Sequence, residues 1–131
     1  SSVAPMHVLY VEDSQMNQMV MQALCERFPV TLTLADSASA GYEALVAQRF
    51  DLIISDIQMP EHSGLDLIEW FHRDPGACAG VEVYACTANS TCEACDKFIA
   101  AGFAGVLTKP LTLEELQRFF AARSPAVNEQ S

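Results

Sequence analysis

The chain has 131 residues, half of them hydrophobic, with 17 acidic against 7 basic residues and a formal net charge of −10. That length suits one domain of ordinary size with a sizeable core. The charge excludes a nucleic-acid-binding surface, which needs clustered Lys and Arg, and fits basic partners or a bound cation.

The first five residues, Ser1-Ser2-Val3-Ala4-Pro5, lack the charged start and apolar stretch of a signal peptide. The chain does not begin with Met, so residues 1–5 are read as a leader or cloning remnant of a fragment. No apolar run approaches the ~20 residues of a membrane helix, so no membrane contact is expected. Five cysteines, an odd number without disulfide-framework spacing, point to a reducing, cytoplasmic setting.

Met6 to Val11 reads as the first strand and runs straight into Glu12-Asp13. Ser14 is a candidate N-cap for a helix over Gln15 to Arg27, with Met16, Met19, Val20, Ala23 and Leu24 as its apolar stripe. Phe28-Pro29 closes it. Val30 to Ala35 alternates Thr and Leu as a second strand. Tyr42, Leu45, Val46 and Phe50 mark a second helix whose start is blurred by Gly41. Leu52 to Ile54 is apolar and rich in β-branched residues, too short for a helix, and reads as a buried strand that stops at Asp56.

Ile57 to Ser63 is a loop; Pro60 cannot donate to a ladder, and Gly64 lets the chain turn. Leu65, Ile68 and Phe71 make the third helix's apolar face, and Asp74-Pro75-Gly76 is a turn. Val81 to Cys86 is the fourth strand, ending at Thr87. Asn89 or Ser90 caps a fourth helix with a thin apolar face of Cys95, Phe98 and Ile99, closed by Gly102. Ala104 to Leu107 is the fifth strand, before Thr108-Lys109-Pro110. Thr112-Leu113-Glu114-Glu115 is a capping-box pattern opening the last helix. After Arg123, residues 124–131 read as a tail or linker.

Strands alternating with helices imply βαβ units and a parallel sheet. In such sheets the ligand site lies beyond the carboxyl ends of the strands. Glu12, Asp13, Asp56, Thr87 and Lys109 therefore converge on one edge. Three carboxylates in one pocket repel each other, so either one is protonated or a cation sits among them. All-oxygen donors favour a hard cation, and few protein ligands suit Mg²⁺, which keeps several waters. Lys109 adds a compact ammonium suited to phosphate, and Thr87 a hydroxyl donor. A carboxylate can act as a nucleophile toward phosphorus, and phosphoryl transfer mainly needs positioning and neutralised charge. The set reads as a phosphorylatable aspartate site.

With these residues assembled, the chain resembles the receiver domain of two-component response regulators over residues 6–123. The resemblance rests on Glu12-Asp13, Asp56 with Met59-Pro60, Gly64, Thr87-Ala88 and Lys109-Pro110, in this order. It implies a flavodoxin-like (βα)5 doubly wound parallel sheet in strand order 2-1-3-4-5. It implies Asp56 as phosphoacceptor; Asp13, Asp56 and the backbone carbonyl of Gln58 as Mg²⁺ ligands; Glu12 holding a metal water; Thr87 and Lys109 on the phosphoryl oxygens; and a cis bond at Lys109-Pro110. The run Val11 to Gln18 is similar to receivers of hybrid sensor histidine kinases, which implies a histidine kinase domain as donor and onward transfer to a histidine phosphotransfer domain. Val106 departs from the family, in which many members carry Tyr or Phe three residues before the lysine.

Rival readings fit less well. An aspartate-nucleophile phosphatase carries a second acid two residues past its nucleophile, where Gln58 stands. A nucleotide-binding module needs a Gly-rich loop where Glu12-Asp13 stands. A degenerate receiver lacks part of the acid, Thr and Lys set. A stand-alone regulator switching a partner through its fourth helix and fifth strand is the alternative within the family. Cys92-x-x-Cys95 has no second pair, and His7, His62 and His72 are scattered, so small helix residues account for the cysteines better than a metal site does.

Overall fold

The computed structural model describes residues 3–123. The expected tail at 124–131, and the first two residues of the expected leader, lie outside the described residues. Val3 already packs against the core.

The element order is β1 (Met6–Val11), α1 (Gln15–Cys25), β2 (Val30–Ala35), α2 (Ala38–Ala47), β3 (Leu52–Asp56), α3 (Gly64–Arg73), a 3-10 turn (Gly76–Cys78), β4 (Val83–Thr87), α4 (Cys92–Ala101), β5 (Gly105–Thr108) and α5 (Leu113–Arg123). The described strands form one sheet in the order 2-1-3-4-5, and every neighbouring pair is parallel.

The central strands β1, β3 and β4 are buried on both sides, the edge strands β2 and β5 only partly, and strand side chains alternate between two cores. Val8, Tyr10, Leu52, Ile54, Tyr84, Cys86 and Leu107 join Met21 and Cys25 of α1 and Leu116, Phe119 and Phe120 of α5. Leu9, Val11, Ile53, Val83 and Ala85 join Leu45 of α2, Leu67, Ile68 and Phe71 of α3, and Phe98 of α4. Leu67 and Ile68 are fully buried, and each such side chain contributes about 1.5–3 kcal/mol of burial. They anchor the helix that follows the loop after Asp56.

Helix starts follow local hydrogen bonding. Ser14 accepts from the Asn17 amide and Ser37 from the Ala40 amide, which fixes the blurred start of α2. Gly41 sits inside that helix because a Cβ there would meet Val11 Cγ2 at 2.6 Å. Ser63 and Asp66 form a capping box on α3. Thr91, not Asn89 or Ser90, caps α4 by accepting from the Ala94 amide; Asn89 instead turns back to the Thr91 amide. Gly102 closes α4 in the left-handed region with φ 116°.

Several sequence expectations shift. β4 and β5 start later than expected, at Val83 and Gly105, and reach Thr87 and Thr108. The buried face of α3 is Leu67, Ile68 and Phe71, with Leu65 only half-buried. In α1 the expected apolar stripe is mostly in solvent: Met16 is 74% exposed, Met19 69% and Val20 47%. Met21 and Cys25 provide the packing instead. Hydrophobic spacing identified the helix, but two overlapping faces satisfied the same period.

Candidate functional site

The carboxyl edge of the sheet gathers residues from four strand ends. Glu12 and Asp13 follow β1, while Asp56 and Thr87 are the last residues of β3 and β4. Lys109 follows β5; its amide donates to the Thr87 carbonyl at 2.9 Å, and its bond to Pro110 is cis. Parallel registry places Asp56 opposite Cys86 and Thr87 opposite Thr108, which sets the spacing between acid, hydroxyl and amine.

Lys109 Nζ donates to Glu12 Oε1 at 2.8 Å and lies 3.1 Å from Asp56 Oδ1. The Ile57 amide also donates to Asp56 Oδ1, at 2.9 Å. Glu12 is 1% exposed; its Oε2 accepts from the Ser14 amide at 3.0 Å, and its Oε1 accepts from the Tyr10 hydroxyl at 3.1 Å. Gln18 Nε2 donates to the Glu12 carbonyl at 2.6 Å, tying α1 to the same turn. Thr87 is buried, and its Oγ1 accepts from the Asn89 amide at 3.0 Å, leaving the hydroxyl proton to donate elsewhere. Asp13 is exposed at the mouth, as is the side chain of Gln58 in the loop after β3.

The charges are unequal by design of their surroundings. Burial pushes the Asp56 carboxyl up; the Lys109 hydrogen bond lowers it, the Glu12 charge raises it again, and the net direction is upward. Burial also pushes Glu12 up, but bonds from Lys109, Ser14 and Tyr10 outweigh it and hold Glu12 below its ordinary value. Burial lowers Lys109, whereas its bonds to Glu12 and Asp56 raise it overall, keeping the ammonium charged.

Among the described residues, one oxygen each of Glu12, Asp13 and Asp56 falls within 4.8 Å of the others. One ammonium faces three acids, so negative charge remains to be neutralised. Oxygen donors alone, with one acid open to solvent, fit a hard cation that keeps waters, and Mg²⁺ is the match.

Sequence reasoning brought together Glu12, Asp13, Asp56, Thr87 and Lys109 but missed two contributors. Ser14 was read only as a cap, yet its amide holds Glu12. Tyr10 lies inside the expected Met6–Val11 strand, where the sequence assigns it no role at the site. Its spacing was the available signal, because residues two apart on a strand share a face. A groove between α2 and α3, about 390 Å³ and lined by Tyr42, Trp70 and Arg73, contains none of the acid cluster.

Comparison with known proteins matches this arrangement. A family model described as the response regulator receiver domain covers residues 8–121. The sensor histidine kinase AruS of Pseudomonas aeruginosa is 36% identical over 119 residues, covering 90% of this chain and 12% of the relative. The signal transduction histidine-protein kinase BarA of Escherichia coli is 32% identical, covering 92% of this chain and 13% of the relative. The chain thus spans about an eighth of these relatives' length. Among solved structures, the receiver domain of sensor histidine kinase PA1611 from P. aeruginosa, with a magnesium ion in its active-site cleft, is 27% identical with a TM-score of 0.80, over 91% of this chain and 97% of that one.

Proposed function

The chain belongs to the response regulator receiver family of two-component systems, and on that premise we propose that it accepts a phosphoryl group on Asp56. The observation that carries this reading is the shared ammonium, with Lys109 Nζ bridging Glu12 Oε1 and Asp56 Oδ1. A carboxylate oxygen of Asp56 attacks phosphorus, the P–N bond of a phosphohistidine breaks, and the imidazole leaves with the electron pair. Lys109 neutralises the oxygens that gain charge, and the Thr87 hydroxyl donates to another of them. Asp13, Asp56 and the Gln58 carbonyl would hold Mg²⁺, with Glu12 holding one of its waters. When bound, the cation offsets carboxylate repulsion and neutralises phosphoryl charge. The domain accelerates its own uptake by positioning, and a histidine kinase domain is the donor.

Onward transfer to a histidine phosphotransfer domain is the finer part of the proposal. It is supported by Met16, Met19 and Val20 of α1, large hydrophobic side chains left exposed on one helix. Val20 and Asn17 also line a cleft of about 280 Å³ with Lys109, Pro110 and Leu111, so the apolar face borders Lys109. The relatives being sensor histidine kinases fits a relay within a hybrid kinase.

The test is mass spectrometry after incubation with acetyl phosphate and Mg²⁺. One added phosphoryl group on Asp56, absent without Mg²⁺ and absent in Asp56→Asn, is expected. Full labelling of Asp56→Asn would overturn the assignment.

A further inference from the structure

We infer that Tyr10 is a positioning residue for phosphoryl uptake, holding Glu12 in place while Lys109 turns from Glu12 toward the phosphoryl group. The inference rests on Asp56 being the acceptor.

Tyr10 is 1% exposed and lies near the end of β1, two residues before Glu12. Its hydroxyl donates to Glu12 Oε1 at 3.1 Å, the oxygen that Lys109 Nζ approaches at 2.8 Å. One carboxylate oxygen therefore has two donors of different kinds. Lys109 is on a long flexible stem and is already divided between Glu12 and Asp56. Tyr10 is fixed by the strand, in the same core cluster as Cys86 of β4.

A phosphoryl group on Asp56 brings further negative charge to the Asp56 side of Lys109. The ammonium is drawn that way, and its bond to Glu12 weakens. Glu12 is buried, and a buried carboxylate stripped of its donors is costly. Ser14 serves only Oε2, so Tyr10 is the donor that remains on Oε1. It keeps Glu12 hydrogen-bonded and oriented without following the phosphoryl group. Phenylalanine at this position keeps the ring and removes only that donor. Losing one hydrogen bond to a buried charged acceptor corresponds to roughly a tenfold change in the equilibrium it supports.

The experiment compares the wild type with Tyr10→Phe, Tyr84→Phe, Glu12→Gln and the Tyr10→Phe/Glu12→Gln pair. Tyr84 is the control phenol, donating to Glu82 at 2.7 Å, apart from the acid cluster. Readouts are Mg²⁺ affinity by calorimetry, beryllofluoride affinity by ¹⁹F NMR, phosphorylation rate at saturating acetyl phosphate, and Tm. Tyr10→Phe is expected to lower beryllofluoride affinity and the saturated rate on the order of tenfold, with the half-saturating donor concentration unchanged, Mg²⁺ affinity altered much less, and Tyr84→Phe like wild type. In Glu12→Gln, the added Tyr10→Phe change is expected to have no further effect, and any general stability cost cancels in this cycle. Unchanged beryllofluoride affinity in Tyr10→Phe, an equal loss in Tyr84→Phe, or additive effects in the pair would overturn the inference. A wild type that takes no phosphate would instead overturn the reading of Asp56.

Discussion

Lys109 Nζ stands 3.1 Å from Asp56 Oδ1 and 2.8 Å from Glu12 Oε1, so one cation serves two buried acids. Lys109→Met leaves those acids facing each other across an apolar stem. Removing one partner of a buried pair leaves uncompensated charge, and a cost of about 1–3 kcal/mol is expected for the unpaired acceptors. Urea unfolding at neutral pH without Mg²⁺ should show the lower midpoint with an unchanged slope. Labelling of Asp56 should fall as well. A variant as stable as wild type would show that the bridge carries no net stability.

The opposite sign is expected at Asp56. Burial, with the Glu12 charge adding to it and Lys109 opposing, raises its carboxyl in the native state. A raised native value means that the folded protein binds the proton more tightly than the unfolded chain. The contribution is fully present below the ordinary carboxyl value and is lost as pH rises through the native one. Above its native value, where the carboxyl is ionised, Asp56 therefore opposes folding. Asp56→Asn should raise Tm at pH 7 without Mg²⁺, and the gain should vanish below about pH 4, where the carboxyl is protonated in both states. A gain independent of pH would refute the electrostatic origin.

Glu12 supplies the mirror-image test. Its carboxyl is lowered, because bonds from Lys109, Ser14 and Tyr10 outweigh the opposing effect of burial. A lowered value stabilises the fold above the ordinary carboxyl value and loses that contribution as pH falls through the native one. Glu12→Gln should lower Tm at pH 7, with the gap closing in acid. Thermal melts of wild type, Asp56→Asn and Glu12→Gln over one pH series measure both signs together.

Gly64 connects packing to the site. A Cβ there would strike the Asp56 carbonyl oxygen and crowd the Ile57 Cα at 3.1 Å. The obstacle is backbone, so it cannot rotate aside. Gly64→Ala should displace the Asp56–Ile57 segment, weaken the 2.9 Å bond from the Ile57 amide to Asp56, and reduce both Tm and labelling. Overpacking of this kind costs typically about 1–3 kcal/mol. Retention of full labelling would show that the segment can yield without moving the acceptor.

The strand ends were legible because charge interrupts apolar runs there, and parallel pairing then forces those ends to one edge. That carried Glu12, Asp13, Asp56, Thr87 and Lys109 from sequence to neighbourhood. The site's fine structure was not legible. The Ser14 amide and the Tyr10 hydroxyl bond Glu12 through geometry that no spacing specifies uniquely. The face of α1 was misread for a different reason. Met16, Met19 and Val20 obey helical periodicity as well as Met21 and Cys25 do, and only the docking of α1 on the sheet decides which set is buried. The cap of α4 was displaced because Asn89, Ser90 and Thr91 all have capping side chains, and the fold chose Thr91.

The last prediction concerns how far phosphorylation is felt. Val106 on β5 pairs with Ala85 of β4 and packs, half-buried, against the core shared with α4. A ring at this position can move between exposed and buried rotamers, giving two discrete states that a phosphoryl group can bias. Valine is short and stiff at χ1, with no ring to reposition. Thr87 can still shift toward a phosphoryl oxygen, but little of that motion has a side chain to carry it across β5. The apolar face bordering Lys109 lies instead on α1. The expected outcome is a domain that relays phosphate more than it switches an output through α4 and β5. Amide NMR spectra with and without beryllofluoride and Mg²⁺ test this. Shifts confined to the segments around Asp13, Asp56, Thr87 and Lys109, with α4 and β5 nearly unmoved, are expected. Large shifts across Cys92–Ala101 and Gly105–Thr108, or dimerisation through them on phosphorylation, would defeat the relay reading and show that another group has replaced the missing ring.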